Sequence, residues 1–136
     1  MSKKMILVID DEAGFRNLHQ FLLEPLGYSV EFAEDGRQGF EMAAKKCYDL
    51  ILLDMHMPNM NGIEVLRRIK EIHPEQKVII SSSNSDETHS LEEVARKLGA
   101  FDCLYKPMDV ADIFKVINRA LNASSTLCID RLSKRI

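Results

Sequence analysis

The stretch Asp49-Leu50-Ile51-Leu52-Leu53-Asp54-Met55-His56-Met57-Pro58 decides the architecture. Leu50 to Leu53 is a continuous apolar run with no polar alternation, as expected of a strand buried on both faces of a parallel sheet. Met5-Ile6-Leu7-Val8-Ile9 repeats the pattern upstream, and it too ends in carboxylates, Asp10 and Asp11. Lys77-Val78-Ile79-Ile80 and Phe101-Asp102-Cys103-Leu104-Tyr105 are weaker versions of the same signal. Ser29-Val30-Glu31-Phe32-Ala33 alternates polar with apolar, which predicts an edge strand with one wetter face.

Helical spacing fills the intervals. Leu91, Val94, Ala95 and Leu98 recur at i, i+3, i+4 and i+7, and Ile113, Val116, Ile117, Ala120 and Leu121 do likewise. Phe15, Leu18 and Leu22 mark another helix, as do Ile63, Leu66 and Ile69; Phe40, Ala43, Ala44 and Cys47 give a weaker face. Gly27, Gly36, Gly62 and Gly99 fall at the joints, where positive φ is expected. Five strands alternating with five helices predict an α/β, doubly wound five-stranded parallel sheet. The amphipathic second strand belongs at an edge, which gives the order 2-1-3-4-5.

Bulk properties bound the function. At 136 residues, 46% hydrophobic and 29% charged, the chain has the make-up of one soluble domain. A net charge of −3 speaks against nucleic acid or a membrane as the main partner, since both favour basic patches. Arg67, Arg68 and Lys70 read as a solvated helix face. Cys47, Cys103 and Cys128 are odd in number and lack metal-ligand spacing, which suits free thiols in a reducing cytoplasm. Met5–Ile9 is too short and too soon acidic for a secretory leader, and no apolar run nears the ~20 residues that span a bilayer. Residues 1–122 form the expected domain and 123–136 a tail of unassigned structure.

In open α/β sheets the working groups gather at the carboxyl ends of the strands. There this chain places Asp10 and Asp11, Asp54, the Ser81-Ser82-Ser83 run, and Lys106 before Pro107. Three close carboxylates raise one another's pKa unless a cation sits among them, and hard oxygen ligands suit Mg²⁺. A carboxylate such as Asp54 is then a nucleophile for a phosphoryl group, Lys106 pairs with a phosphoryl oxygen, and a serine hydroxyl bonds another. Singly, each piece reads more plainly: the acid pair as a helix cap or a solvated turn, Asp54 as a strand-ending residue before a loop, the serines as turn residues, Lys106 as a surface lysine. Together, at the ends of the right strands, they form one site.

These residues carry a resemblance. Ile9-Asp10-Asp11-Glu12, the stretch from Asp49 to Pro58, Met60-Asn61-Gly62, Gly99-Ala100 and Tyr105-Lys106-Pro107 resemble the receiver domains of bacterial two-component response regulators, over roughly residues 4 to 122. The likeness is to the single-domain, chemotaxis-regulator type, with a flavodoxin-like fold. It implies Asp54 as phosphoacceptor, Asp11 as a direct Mg²⁺ ligand, Asp10 as one acting partly through water, and the backbone carbonyl of His56 as a third ligand. It implies Lys106 as the phosphate-pairing lysine, joined to Pro107 by a cis bond. The donor it implies is a phosphohistidine on a sensor histidine kinase or phosphotransfer protein. Output runs to a downstream protein through helix four, strand five and helix five, with no catalysis beyond the domain's own phosphoryl transfer and hydrolysis.

The chain departs from the family pattern near strand four. The usual threonine is a serine, assigned to Ser82 with Ser83 as runner-up, and Ser82 to Gly99 is about two residues longer than usual. The aromatic of strand five aligns with Cys103, and Tyr105 is expected on the opposite face. His56 reads as a solvated loop histidine, or as a ring that tunes water access. His19, His73 and His89 suggest no metal cluster, and Met55, Met57 and Met60 read as loop packing. Cys103 and Cys128 carry only a weak redox-sensor signal. Two other functions stay in view: an Asp-nucleophile Mg²⁺ phosphatase, which lacks its Asp-x-Asp pair here, and a receiver-shaped module that takes no phosphate.

Overall fold

The computed structural model describes residues 3–57, 60–83, 86–106 and 109–122. In chain order these form β1 (Met5–Ile9), α1 (Ala13–Leu23), a single 3₁₀ turn (Glu24–Leu26), β2 (Ser29–Ala33) and α2 (Gly36–Lys45). Then come β3 (Leu50–Asp54), α3 (Gly62–Ile72), β4 (Val78–Ser83), α4 (Asp86–Lys97), β5 (Asp102–Lys106) and α5 (Val110–Asn122). The strands make one parallel sheet in the order β2-β1-β3-β4-β5, as the sequence predicts.

Strand alternation divides the apolar side chains between two layers. Leu7, Ile9, Ile51, Leu53, Val78 and Ile80 face α2, α3 and α4, where Ala43, Val65, Leu66, Ile69 and Ala95 meet them. Ile6, Val8, Leu50, Leu52, Ile79 and Leu104 face α1 and α5, packing on Leu23, Ile113, Val116, Ile117, Ala120 and Leu121. Burial of each large aliphatic side chain is worth about 1.5–3 kcal/mol, so these two layers hold the strand ends in place. No helix among the described residues is long and apolar enough to cross a membrane.

Caps fix the helices that flank the site. Asp35 accepts from the Gln38 backbone N–H at 2.8 Å to open α2, and Asn61 accepts from Glu64 N–H at 3.0 Å to open α3. Gly27 and Gly99 adopt positive φ, as expected. Gly36 and Gly62 do not: they begin α2 and α3, and what they supply is room. A Cβ on Gly62 would lie 2.6 Å from Cα of Met55 and 2.7 Å from the carbonyl oxygen of Asp54.

Other expectations need correction. Val94 is 43% exposed, so the inner stripe of α4 runs through Leu91, Ala95 and Leu98. Tyr105 packs against the same apolar layer as Cys103, because residues two apart on a strand share a face; the opposite-face expectation fails. Helix α1 buries His19 beside Leu23, a polar residue that the apolar periodicity passed over. The Lys106–Pro107 bond, the tail with Cys128, and the side chains of Ser83 and His89 lie outside what is described.

Candidate functional site

Ile9 and Leu53 are register partners on neighbouring strands, so the next residues, Asp10 and Asp54, emerge side by side. Carboxylate oxygens of Asp10, Asp11, Glu12 and Asp54 all lie within 4.8 Å of one another. Asp10 and Asp54 are buried, while Asp11 and Glu12 are exposed. The helix-cap reading of the acid pair does not hold. The N-cap of α1 is Glu12, with no side-chain cap bond, and Asp10 Oδ1 instead accepts from the Glu12 backbone N–H at 2.9 Å.

Lys106, at the end of β5, brings its ammonium into this cluster. Nζ stands 3.6 Å from Asp10 Oδ2, 3.6 Å from Asp54 Oδ2 and 3.4 Å from Glu12 Oε1. It also sits 4.2 Å from the centre of the Phe15 ring in the first turn of α1, a cation–π contact. Burial alone would lower its pKa, but Asp54, Asp10 and Glu12 outweigh burial and raise it. The lysine stays charged.

Asp54 behaves otherwise. Desolvation, more than any other cause, pushes its carboxyl up to about 7, with Asp10 and Asp11 adding like-charge repulsion. The His56 backbone N–H, donating to Oδ1 at 3.1 Å, and the charge of Lys106 pull the other way without cancelling the rise. Four crowded carboxylates with one partner lysine leave an uncompensated negative centre of hard oxygens. That donor set fits Mg²⁺ and not a soft metal.

Ser82 is buried, and its Oγ lies 3.1 Å from Nε2 of His56. His56 is exposed, as a solvated loop histidine is, and its ring also reaches Ser82. Cys103 shares the face of Ser82, since its register partner Ile80 lies two residues before Ser82. Burial pushes its thiol up to about 12, which suppresses the thiolate that a redox sensor needs. Asp10, Asp11, Asp54 and Lys106 are thus brought together as expected, while the hydroxyl of Ser82 is engaged by a ring.

Sequence reasoning gave no role to Glu12, Phe15 or His19. Glu12 carried a signal, as the third acid in Asp10-Asp11-Glu12; Phe15 looked like one more core residue of α1. His19, with Asp10, Asp54 and Ser81, lines a small pocket of about 10 Å³ under the carboxylates. Its Nδ1 lies 2.7 Å from the Phe15 carbonyl, which only accepts, so that nitrogen carries the proton. Burial lowers the His19 pKa.

Residues 6–118 match the family model described as the response regulator receiver domain. The chain is 34% identical over 125 residues to sporulation initiation phosphotransferase F of Bacillus subtilis (strain 168), covering 92% of this chain and 99% of that protein. It is 37% identical over 116 residues to the transcriptional regulatory protein ZraR of Escherichia coli (strain K12), covering 85% of this chain and 26% of ZraR. The chain therefore spans about a quarter of that relative's length. A crystallised response regulator receiver domain protein from Clostridium thermocellum matches with a TM-score of 0.79 at 37% identity, over 88% of this chain and 94% of that one. On this sequence match and this fold, the chain belongs to the response regulator receiver domain family.

Proposed function

We propose that this protein is a phosphorylatable switch in which Asp54 accepts a phosphoryl group from a phosphohistidine of a sensor histidine kinase or phosphotransfer protein. The observation that carries the reading is the gathering of Asp10, Asp11, Glu12 and Asp54 within 4.8 Å, with Lys106 3.6 Å from Asp54. Asp10, Asp11 and Asp54 would hold Mg²⁺ with the backbone carbonyl of His56, and Glu12 adds a further carboxylate beside them. Bound there, the ion supplies positive charge to the phosphoryl oxygens during transfer.

The chain's own groups do the rest. Asp54 attacks phosphorus through a carboxylate oxygen as the bond to the donor nitrogen breaks, leaving an aspartyl phosphate. Lys106, kept charged by its acidic neighbours, pairs with a phosphoryl oxygen. Ser82 turns its hydroxyl to another. The phosphorylated state shifts a pre-existing equilibrium, read by a protein partner on the face of α4, β5 and α5. The chemistry is confined to the domain's own phosphoryl transfer and hydrolysis, in a reducing cytoplasm that suits the free Cys47 and Cys103.

Incubation with Mg²⁺ and a small phosphodonor, followed by intact mass, tests this directly. A labile adduct of one phosphoryl group is expected in the wild type and absent in Asp54→Ala. Equal adduct in both proteins, or none in either, rejects Asp54 as acceptor.

A further inference from the structure

The usual strand-five ring is missing at Cys103, yet the buried Ser82 hydroxyl, near the end of β4, lies against an imidazole from the loop after β3. His56 is anchored twice: its backbone N–H donates to Asp54 Oδ1 at 3.1 Å, and its Nε2 lies 3.1 Å from Ser82 Oγ. One residue thus spans the acceptor carboxylate and the hydroxyl. Ser82 is 1% exposed and His56 is exposed, so the ring is free to leave while the hydroxyl is not.

We propose that His56 is a positioning residue for Ser82: the hydroxyl donates to the imidazole in the unphosphorylated protein, transfers that hydrogen bond to a phosphoryl oxygen on Asp54, and so releases the ring. The proposal rests on the function argued above and deepens it. A serine hydroxyl has one hydrogen to donate, so ring and phosphoryl group compete for it. Release of His56 then carries the change at Asp54 to an exposed side chain. Tyr105, the register partner of Ser82 on β5, serves as the control.

Beryllium fluoride with Mg²⁺, read by ¹⁹F and by ¹⁵N-histidine imidazole spectra, tests the exchange in the full chain. The wild type is expected to show a bound fluoride signal and a shift of the His56 ring nitrogens in the same titration. Ser82→Ala is expected to give the released-ring spectrum before any addition. His56→Ala, freed of the competing bond, is expected to half-saturate at about three- to tenfold lower beryllium fluoride. That gain is expected to vanish in the Ser82→Ala background and to persist with Tyr105→Leu. A bound fluoride signal with unmoved His56 nitrogens overturns the exchange, as does a His56→Ala protein that binds more weakly. Loss of the gain in Tyr105→Leu assigns the coupling to Tyr105 instead and also overturns it. If no fluoride signal forms in any protein, including wild type, the phosphoacceptor function itself falls and takes the exchange with it.

Discussion

The Lys106 ammonium stands 3.6 Å from Oδ2 of Asp54, inside ion-pair range and beyond hydrogen-bond range. The same nitrogen donates to Glu12 Oε1 at 3.4 Å, stands 3.6 Å from Asp10 Oδ2 and rests over Phe15, so it is held among the acids. Under the proposed function, a phosphoryl oxygen arriving at Asp54 meets a donor already in place. Lys106→Ala is therefore expected to slow formation of the Asp54 adduct by about 10- to 100-fold, the size of a lost charge-assisted hydrogen bond. Adduct yield against time by intact mass checks this; a loss under threefold would remove Lys106 from the site.

Asp54 sets a pH dependence. Its folded-state pKa, pushed up to about 7 mainly by desolvation, lies above the ordinary carboxylate value of 3.8. The native state then holds a proton that the unfolded chain has lost, so this stabilisation is full below about pH 4 and gone above about pH 7. Without metal, Asp54→Asn is expected to be more stable than wild type at pH 8 by about 1–3 kcal/mol, with the gap narrowing towards pH 4. Urea unfolding at the two pH values measures it.

The same carboxyl must lose its proton to bind a cation. Mg²⁺ affinity is expected to fall up to about tenfold per pH unit below 7 and to level off above. Calorimetry at pH 6 in two buffers of different ionisation enthalpy should report close to one proton released per Mg²⁺ bound. Zero release would contradict the raised pKa.

His19 contributes the opposite slope. Burial lowers its pKa, so the unfolded chain takes up the proton first and stability is lost as pH falls below about 6.5. His19→Leu is expected to lose less stability than wild type between pH 7.5 and 5.5, by about 1 kcal/mol. Parallel unfolding curves for the two proteins would show that His19 does not titrate there.

A Cβ on Gly39 would meet Cδ1 of Ile9 at 2.5 Å and its two γ carbons at 2.8 Å. Gly39→Ala is expected to cost about 1–3 kcal/mol by overpacking, despite the better helix propensity of alanine. Adding Ile9→Val removes the nearest carbon and should recover part of the loss in thermal unfolding.

The sheet was legible because β1 and β3 are unbroken apolar runs, and the edge position of β2 because Glu31 interrupts its pattern. The acids and Lys106 were legible because each ends a strand. Contacts made by reach were not. Spacing does not show that Lys106 extends to Phe15, nor that the His56 ring bends to Ser82, since both depend on side-chain direction across elements. His19 was missed because a period read from apolar residues skips a histidine buried with its proton on a backbone carbonyl. The face of Tyr105 was within reach of counting by twos from Cys103.

Gly62 brings the first turn of α3 against the backbone of Asp54 and Met55, and its N–H is bonded to the Met55 carbonyl at 3.1 Å. Backbone atoms of Asp54 and Met55 occupy the place a side chain would need, and backbone cannot swing aside as a side chain can. Gly62→Ala would therefore have to push α3 away from β3 or shift the backbone of Asp54 itself. The spacing between that helix and the strand of Asp54 is thus set by one missing methyl group.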